Sequence, residues 1–387
     1  MGVPARLVTL LAFAAAAEVA AANDRFVPAS PDFVVANVRQ AVPDRELRAL
    51  ITSWRADPAE ESASRMLAQG FLDRARTLRE PMYIGRAEAV LAAALARPTA
   101  SAAQRRLYAQ TLQYRHEFQA AEALLDAVLQ SSPRDAAARL QRASVRLVRG
   151  DFAGARGDCA QLVAGGDAEP AVAVACLAES YAGSGQLAQA QALLDTFPLH
   201  GDGAAAARGY LLTVRAELRE RAGDLPGAIA DYSTALVLAP FEDSIRAALA
   251  DALAARGDVH EAGVLLDIER PSLALLVRRA ALVRGVQRSE LQARASAWLS
   301  LEAARGDAVH NREAAMLALD AGDAARALGA ARANFSVQKE LPDVRVLARA
   351  ATAAHDETAR QQLQAWLRSS GFRDAVAENI LAARPRG

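Results

Sequence analysis

The sequence predicts an all-α solenoid of stacked helical hairpins, and three observations carry that expectation. A phrase of Gly-Asp, three residues and Ala recurs at Gly150-Asp151…Ala155, Gly223-Asp224…Ala228, Gly257-Asp258…Ala262 and Gly322-Asp323…Ala327. Variants at His116-Glu117…Ala121 and Gly185-Gln186…Ala190 help keep most steps near 34 residues, with one longer step near Gly203 and one double step from 258 to 322. An alanine stands seven residues before each anchor, at Ala109, Ala143, Ala178, Ala216, Ala250 and Ala315. Two small residues at fixed offset, one on each helix of a hairpin, are what close helix–helix approach requires. The third observation is compositional. The chain is 52% hydrophobic but only 5% aromatic, and alanine makes up roughly a quarter of it, so burial comes from many small contacts rather than one aromatic core.

The elements follow in chain order. In residues 1–22, Arg6 supplies a positive start, Leu7 to Ala17 an apolar stretch and Ala20-Ala21-Ala22 a cleavage-site pattern, the layout of a secretory signal peptide. The apolar run is too short to span a bilayer, and Glu18 interrupts it. Export to the periplasm is expected, with a mature chain from about Asn23. Residues 23–57 are punctuated by Pro28, Pro31 and Pro43, with Pro58 just beyond, and contain the strand-like run Phe33-Val34-Val35-Ala36-Asn37-Val38. Arg45 to Trp54 reads as a helix capped by Asp44. This segment is expected to cover the open end of the array, as solenoids require. The array occupies 58–374, and a tail at 375–387 is expected to extend the last helix and fray at Pro385.

Within the array the Gly-Asp pair has a mechanism. Glycine takes the left-handed conformation that ends one helix, and aspartate caps the amides that open the next. His116 and His355 occupy the turn position where glycine stands in other copies. The pattern resembles the tetratricopeptide repeat (TPR) family, a 34-residue helix–turn–helix unit. The copy at 209–242 matches best, with Ala216, Gly223, Asp224, Ala228, Tyr232, Ala235 and Pro240 in place. Propagated along the chain, the phase gives units at 68–101, 102–135, 136–169, 171–204, 209–242, 243–273, 274–307, 308–341 and 341–374. The fold class is thus a TPR-like superhelical solenoid of about nine helix–turn–helix units with an N-terminal cap. The unit at 68–101 rests on Ala75, Ala87 and Leu91, and that at 274–307 on Ala281, Ala293 and Ala297. Gly157-Asp158-Cys159-Ala160, Ala175-Cys176-Leu177-Ala178, the stretch from Gly306 to Glu313 and that from Ala333 to Gln338 are similar to exported bacterial TPR proteins of unassigned function.

Charge and motifs narrow the function classes. Lys+Arg and Asp+Glu are both 45, for a net charge of +0, which argues against nucleic-acid binding. Lys339 is the only lysine and reads as compositional bias. No phosphate-binding G-x-x-x-x-G-K, H-E-x-x-H, C-x-x-C or G-x-S-x-G motif is present, and His116, His200, His260, His310 and His355 are isolated in sequence. No catalytic residue, cofactor or metal is expected. Cys159 and Cys176 fall on neighbouring helices in the TPR phase, where they form a disulfide in an oxidising compartment or pack as two small hydrophobes.

By resemblance, the first helices line a concave face that holds a peptide or partner helix. Counting unit positions 2, 5, 9 and 12 assigns Arg106, Gln110 and Gln113, then Glu179, Tyr210, Thr213, Glu217, Glu220 and Asp251, then Arg278, Arg312, Arg345 and Arg349. The competing reading is a set of ordinary solvated charges. The midsection is acidic and the last third basic, so the expected partner is a protein or peptide, with an acidic segment or C-terminal carboxylate against the arginines. Two functions remain open: an exported, non-enzymatic scaffold or adaptor, and an exported enzyme or small-ligand binder using the superhelix as a frame. A long open groove would favour the first, and a closed pocket with converging polar groups the second.

Overall fold

The computed structural model describes residues 45–197, 204–304 and 310–383. The expected signal peptide, the cap segment as far as residue 44 and Pro385 lie outside the described residues. Helix α1 (Arg45–Ala56) is followed by nine hairpins. The first five pair α2 (Glu61–Leu78) with α3 (Met82–Leu95), α4 (Ala102–Tyr114) with α5 (Phe118–Ser131), α6 (Ala136–Arg149) with α7 (Phe152–Gly165), α8 (Pro170–Gly183) with α9 (Leu187–Asp195), and α10 (Ala205–Arg221) with α11 (Leu225–Leu238). The last four pair α12 (Asp243–Arg256) with α13 (Val259–Leu265), α14 (Leu273–Leu282) with α15 (Gly285–Ala304), α16 (Asn311–Asp320) with α17 (Ala324–Val337), and α18 (Leu341–Ala353) with α19 (Glu357–Ser370). A short α20 (Ala375–Ala382) ends the described chain, and no strand occurs among the described residues.

The turn chemistry is local. Gly150, Gly185, Gly223, Gly257 and Gly322 all have positive φ, and His116 (φ 58) and His355 (φ 51) take the same left-handed conformation. In the fifth hairpin the Asp224 amide donates to the Arg219 carbonyl at 2.8 Å, closing α10. The Asp224 carboxylate then accepts from the Gly227 amide at 3.0 Å, opening α11. Asp151, Asp323 and Asp356 cap in the same way. Asp258 does not, because its carboxylate is taken by Arg256. The alanine pairs are buried where the hairpin helices meet: Ala216 and Ala228 are both 0% exposed.

Two expectations need correction. In the seventh hairpin the buried small residues are Ala280 and Ala295, whereas Ala281, Ala293 and Ala297 are exposed. An extended Val283 (φ −100, ψ 171) ends α14, and a left-handed Gly285 starts a helix of 20 residues, so this turn is longer and the phase slips. The tail does not extend α19 either. Left-handed Gly371 stops that helix, and Asp374 caps a separate α20, which packs back on α18.

Cys159 of α7 and Cys176 of α8 form a disulfide, with Cα atoms 5.5 Å apart, and both are essentially fully buried. It ties the third hairpin to the fourth.

The superhelix closes on itself. The Lys339 amide donates to the Val148 carbonyl at 2.7 Å, and its ammonium reaches the Arg149 carbonyl at 3.3 Å, joining the third hairpin to the end of the eighth. Lys339 is therefore a structural contact rather than a compositional accident. Gly185 and Gly371 meet so closely that a Cβ on Gly185 would lie 2.0 Å from the Gly371 carbonyl oxygen. Phe372 packs near Phe152 and Trp366, with ring centroids at 6.1 Å and 5.4 Å. At the other end Arg79 bonds Asp243 at 2.7 Å and Arg270 bonds Glu80 at 3.0 Å. Each hairpin at a seam thus meets the one about five positions along, which sets the turn of the superhelix.

Candidate functional site

Closure of the superhelix turns the concave face into one cavity of about 590 Å³. Of the twelve residues Arg106, Gln110, Glu179, Tyr210, Thr213, Glu217, Glu220, Asp251, Arg278, Arg312, Arg345 and Arg349, eight line it: Glu179, Glu217, Glu220, Asp251, Arg278, Arg312, Arg345 and Arg349. The other four lie elsewhere. Arg106 pairs with Asp135 at 3.3 Å near the N-terminal end, where Gln110 sits beside Tyr114. Thr213 donates back to the Gly209 carbonyl at 2.8 Å. Tyr210 stands behind the lining and donates its hydroxyl to Glu179 at 2.5 Å. Gln113, also assigned by phase, reaches only the Ala109 carbonyl, at 3.4 Å.

The arginine ladder is not the open rack the sequence suggested, because carboxylates from neighbouring helices and from across the superhelix already occupy most of it. Arg278 bonds Asp251 at 2.9 Å. Arg312 bonds Asp343 and Glu340, both at 2.5 Å. Arg345 grips Asp374 with two bonds of 2.9 and 2.8 Å and also bonds Glu220. Burial works against the charge on Arg312 and Arg345, but these carboxylates hold both guanidiniums above their ordinary range. Only Arg349, on the exposed side of α18, has no ion pair among the described residues. An acidic ligand would have to displace existing buried pairs, and such pairs are costly to break.

The acidic midsection is less well matched. Burial and the neighbouring Glu179 push the Glu217 carboxyl up to about 8. Burial also raises Glu179, opposed by the Tyr210 bond. Glu217 has no hydrogen bond among the described residues. Arg221 is the nearest compensating charge, one turn on along the same face of α10. It is turned away, donating to the Ala182 carbonyl at 2.9 Å with its guanidinium 4.2 Å over the Phe372 ring. Desolvation lowers its affinity for its proton. Apolar walls from Val214, Leu218, Phe152 and Met316 surround these groups.

Sequence reasoning missed three contributors. Arg221 sits one position past the counted stripe; its place four residues after Glu217 was the available signal. Lys339 and Phe372 lie between helices, where a repeat count assigns nothing. A recurring spacing was also present: Arg142 with Asp158 and Arg215 with Asp231, each 16 residues apart. Both are two-bond pairs, at 2.9 and 2.6 Å and at 2.7 and 2.5 Å, and they lock the third and fifth hairpins internally.

No protein-family model and no curated protein matches the chain. The fold is a TPR-like solenoid. Solved structures it resembles include a thermophilic TPR protein of Thermus thermophilus, at 22% identity over 51% of this chain and 99% of that one, with a TM-score of 0.37. A tetratricopeptide repeat protein from Parabacteroides merdae aligns at 14% identity over 73% of this chain and 98% of its own, with a TM-score of 0.38. An APC/C hetero-tetramer aligns at 16% identity over 87% and 72%, with a TM-score of 0.47. The assignment of fold rests on the nine hairpins themselves.

Proposed function

We propose that the protein is an exported, non-enzymatic scaffold or adaptor that binds a protein or peptide segment inside its closed superhelix. The observation that carries this reading is that the cavity lined by first helices from the fourth to the ninth hairpin has apolar walls and arginines already paired with carboxylates of the chain itself. A volume of about 590 Å³ is within the range of pockets that enclose a compact ligand, so the occupant is a short segment and not a domain. The buried disulfide supports export, because disulfides persist in oxidising compartments. The secretory pattern of residues 1–22 points the same way.

Closure of the cavity and its converging charges favour a second reading, a small-ligand binder or enzyme framed by the superhelix. Against catalysis, most of the converging charges are already spent on one another. The test uses mature protein, residues 23–387, as bait in periplasmic extract, beside an Ala281→Trp variant. Ala281 is exposed and lines the cavity, so a large ring there fills space without disturbing the core. Capture of a protein by the parent, lost in the variant, supports the proposal. Capture unaffected by the variant places recognition outside the cavity. Native mass spectrometry showing a retained small molecule in place of a protein selects the second reading.

A further inference from the structure

The charges of the cavity are largely closed on themselves. Six acidic and six basic side chains line it among the described residues, so the lining carries no excess of either sign. Asp251, Glu340 and Glu220 are bound by Arg278, Arg312 and Arg345, and Asp243 by Arg79 from outside the lining. Lys339 and Arg221 donate to the Arg149 and Ala182 carbonyls, and Glu179 accepts from the Tyr210 hydroxyl. Two groups are left, Arg349, which is open to solvent, and Glu217. Burial raises the Glu217 carboxyl to about 8, so at neutral pH it is an uncharged O–H donor, and no hydrogen bond among the described residues uses it. The wall around these groups is mostly apolar, with Val214, Leu218, Leu282, Met316, Val346 and Ile380. A charge brought into such a space gives up its water and finds nearly every opposite charge taken.

We infer that the cavity receives an uncharged, apolar stretch of a peptide, one backbone carbonyl of which accepts from the Glu217 carboxyl. This rests on the segment-binding reading above and names the class of segment that is recognised. Complementarity of charge decides it. An acidic stretch competes with Asp251, Glu340 and Glu220 for arginines they already hold. A basic stretch meets those same carboxylates already neutralised. Apolar side chains lie against the wall without displacing any pair, and their burial is favourable in proportion to area. A main chain supplies a carbonyl at every residue, whereas a plain hydrocarbon leaves the Glu217 donor unmet.

The test follows the fluorescence of 1-N-phenylnaphthylamine, a neutral apolar probe, on residues 23–387. The probe should bind saturably to the parent and not to Ala281→Trp, whose ring fills the cavity. Three hexapeptides with both termini blocked then compete with it: one of glycine, valine and leucine, and two variants of it with a central aspartate or a central lysine. The uncharged peptide should displace the probe, and each charged variant should be weaker by about tenfold or more, because its charge is buried without a partner. Displacement by the uncharged peptide should be strongest below about pH 8 and fall above it, as Glu217 gains its charge and ceases to donate. The groups that set this profile around Glu217 are Glu179 from α8, Tyr210, Glu220 and Arg221 from α10, Tyr232 from α11 and Glu340 at the start of α18. Glu217→Gln, matched to the parent by circular dichroism, should flatten the profile; the comparison of peptides stands without it if that variant does not fold. Charged peptides that displace the probe as well as the uncharged one overturn the inference and leave segment binding intact. A probe that no peptide displaces overturns both and makes the ligand a free apolar molecule. Undiminished probe binding by Ala281→Trp overturns the inference, since the apolar site is then outside the cavity.

Discussion

At the scale of single residues, His116 shows how a turn position couples backbone and charge. Its left-handed φ of 58 is one that glycine adopts without cost, and its ring stacks on Phe118 at 5.2 Å. Burial, then the nearby His310 and Arg312, hold its pKa down to about 4. A depressed histidine is bound neutral, so its contribution to stability is full above about 6.5 and is lost as pH falls through about 4. A shift of that size is worth on the order of 3 kcal/mol. His116→Asn keeps a residue that tolerates the left-handed turn and removes the titration. Urea melts at pH 7 and pH 4.5 should show a smaller acid-side loss in the variant than in the parent, and equal losses would place the acid sensitivity elsewhere. The turn role of His116 was legible from its phase. Its neighbours His310 and Arg312 were not, because they belong to the eighth hairpin and arrive only when the superhelix closes.

At the scale of elements, the hairpin is a local object, and nearly all of it was readable. Gly223, Asp224, Ala216 and Ala228 state the turn, the cap and the contact within 13 residues, and the helices form where that grammar places them. The grammar fails where the turn is built differently. In the seventh hairpin the extended Val283 and left-handed Gly285 lengthen the connection, and the buried alanines move to positions 280 and 295. The two-bond pairs Arg142–Asp158 and Arg215–Asp231 repeat the same unit positions but were missed, since a charged pair looks like surface until its burial is known. Ala228→Leu should force α10 and α11 apart at a site with no free space. Overpacking of this kind costs about 1–3 kcal/mol, which lowers the thermal midpoint. The double variant with Ala216→Leu should melt lower still, and a parental melt in both would mean the helices do not meet at these alanines.

At the scale of the whole molecule, the sequence spoke least. The concave stripe was countable, and eight of its thirteen positions do converge on one cavity. Its electrostatics were not countable, because the partners of Arg312 and Arg345 lie at Asp343, Glu340, Asp374 and Glu220. Glu220 and Arg345 are 125 residues apart, beyond any periodic signal. What converts a groove into a cavity is the seam, made by Lys339 on the third hairpin, by Gly185 against Gly371 and by Phe372 under Arg221. The most direct test of this closed architecture is amide hydrogen exchange at Lys339 in residues 23–387. Its amide lies between α17 and α18, and its hydrogen bond crosses the seam to Val148 at 2.7 Å. A closed superhelix predicts slow exchange, comparable to the core amides of α18. Exchange at the rate of an unstructured loop would mean that the seam is open, and the cavity with it.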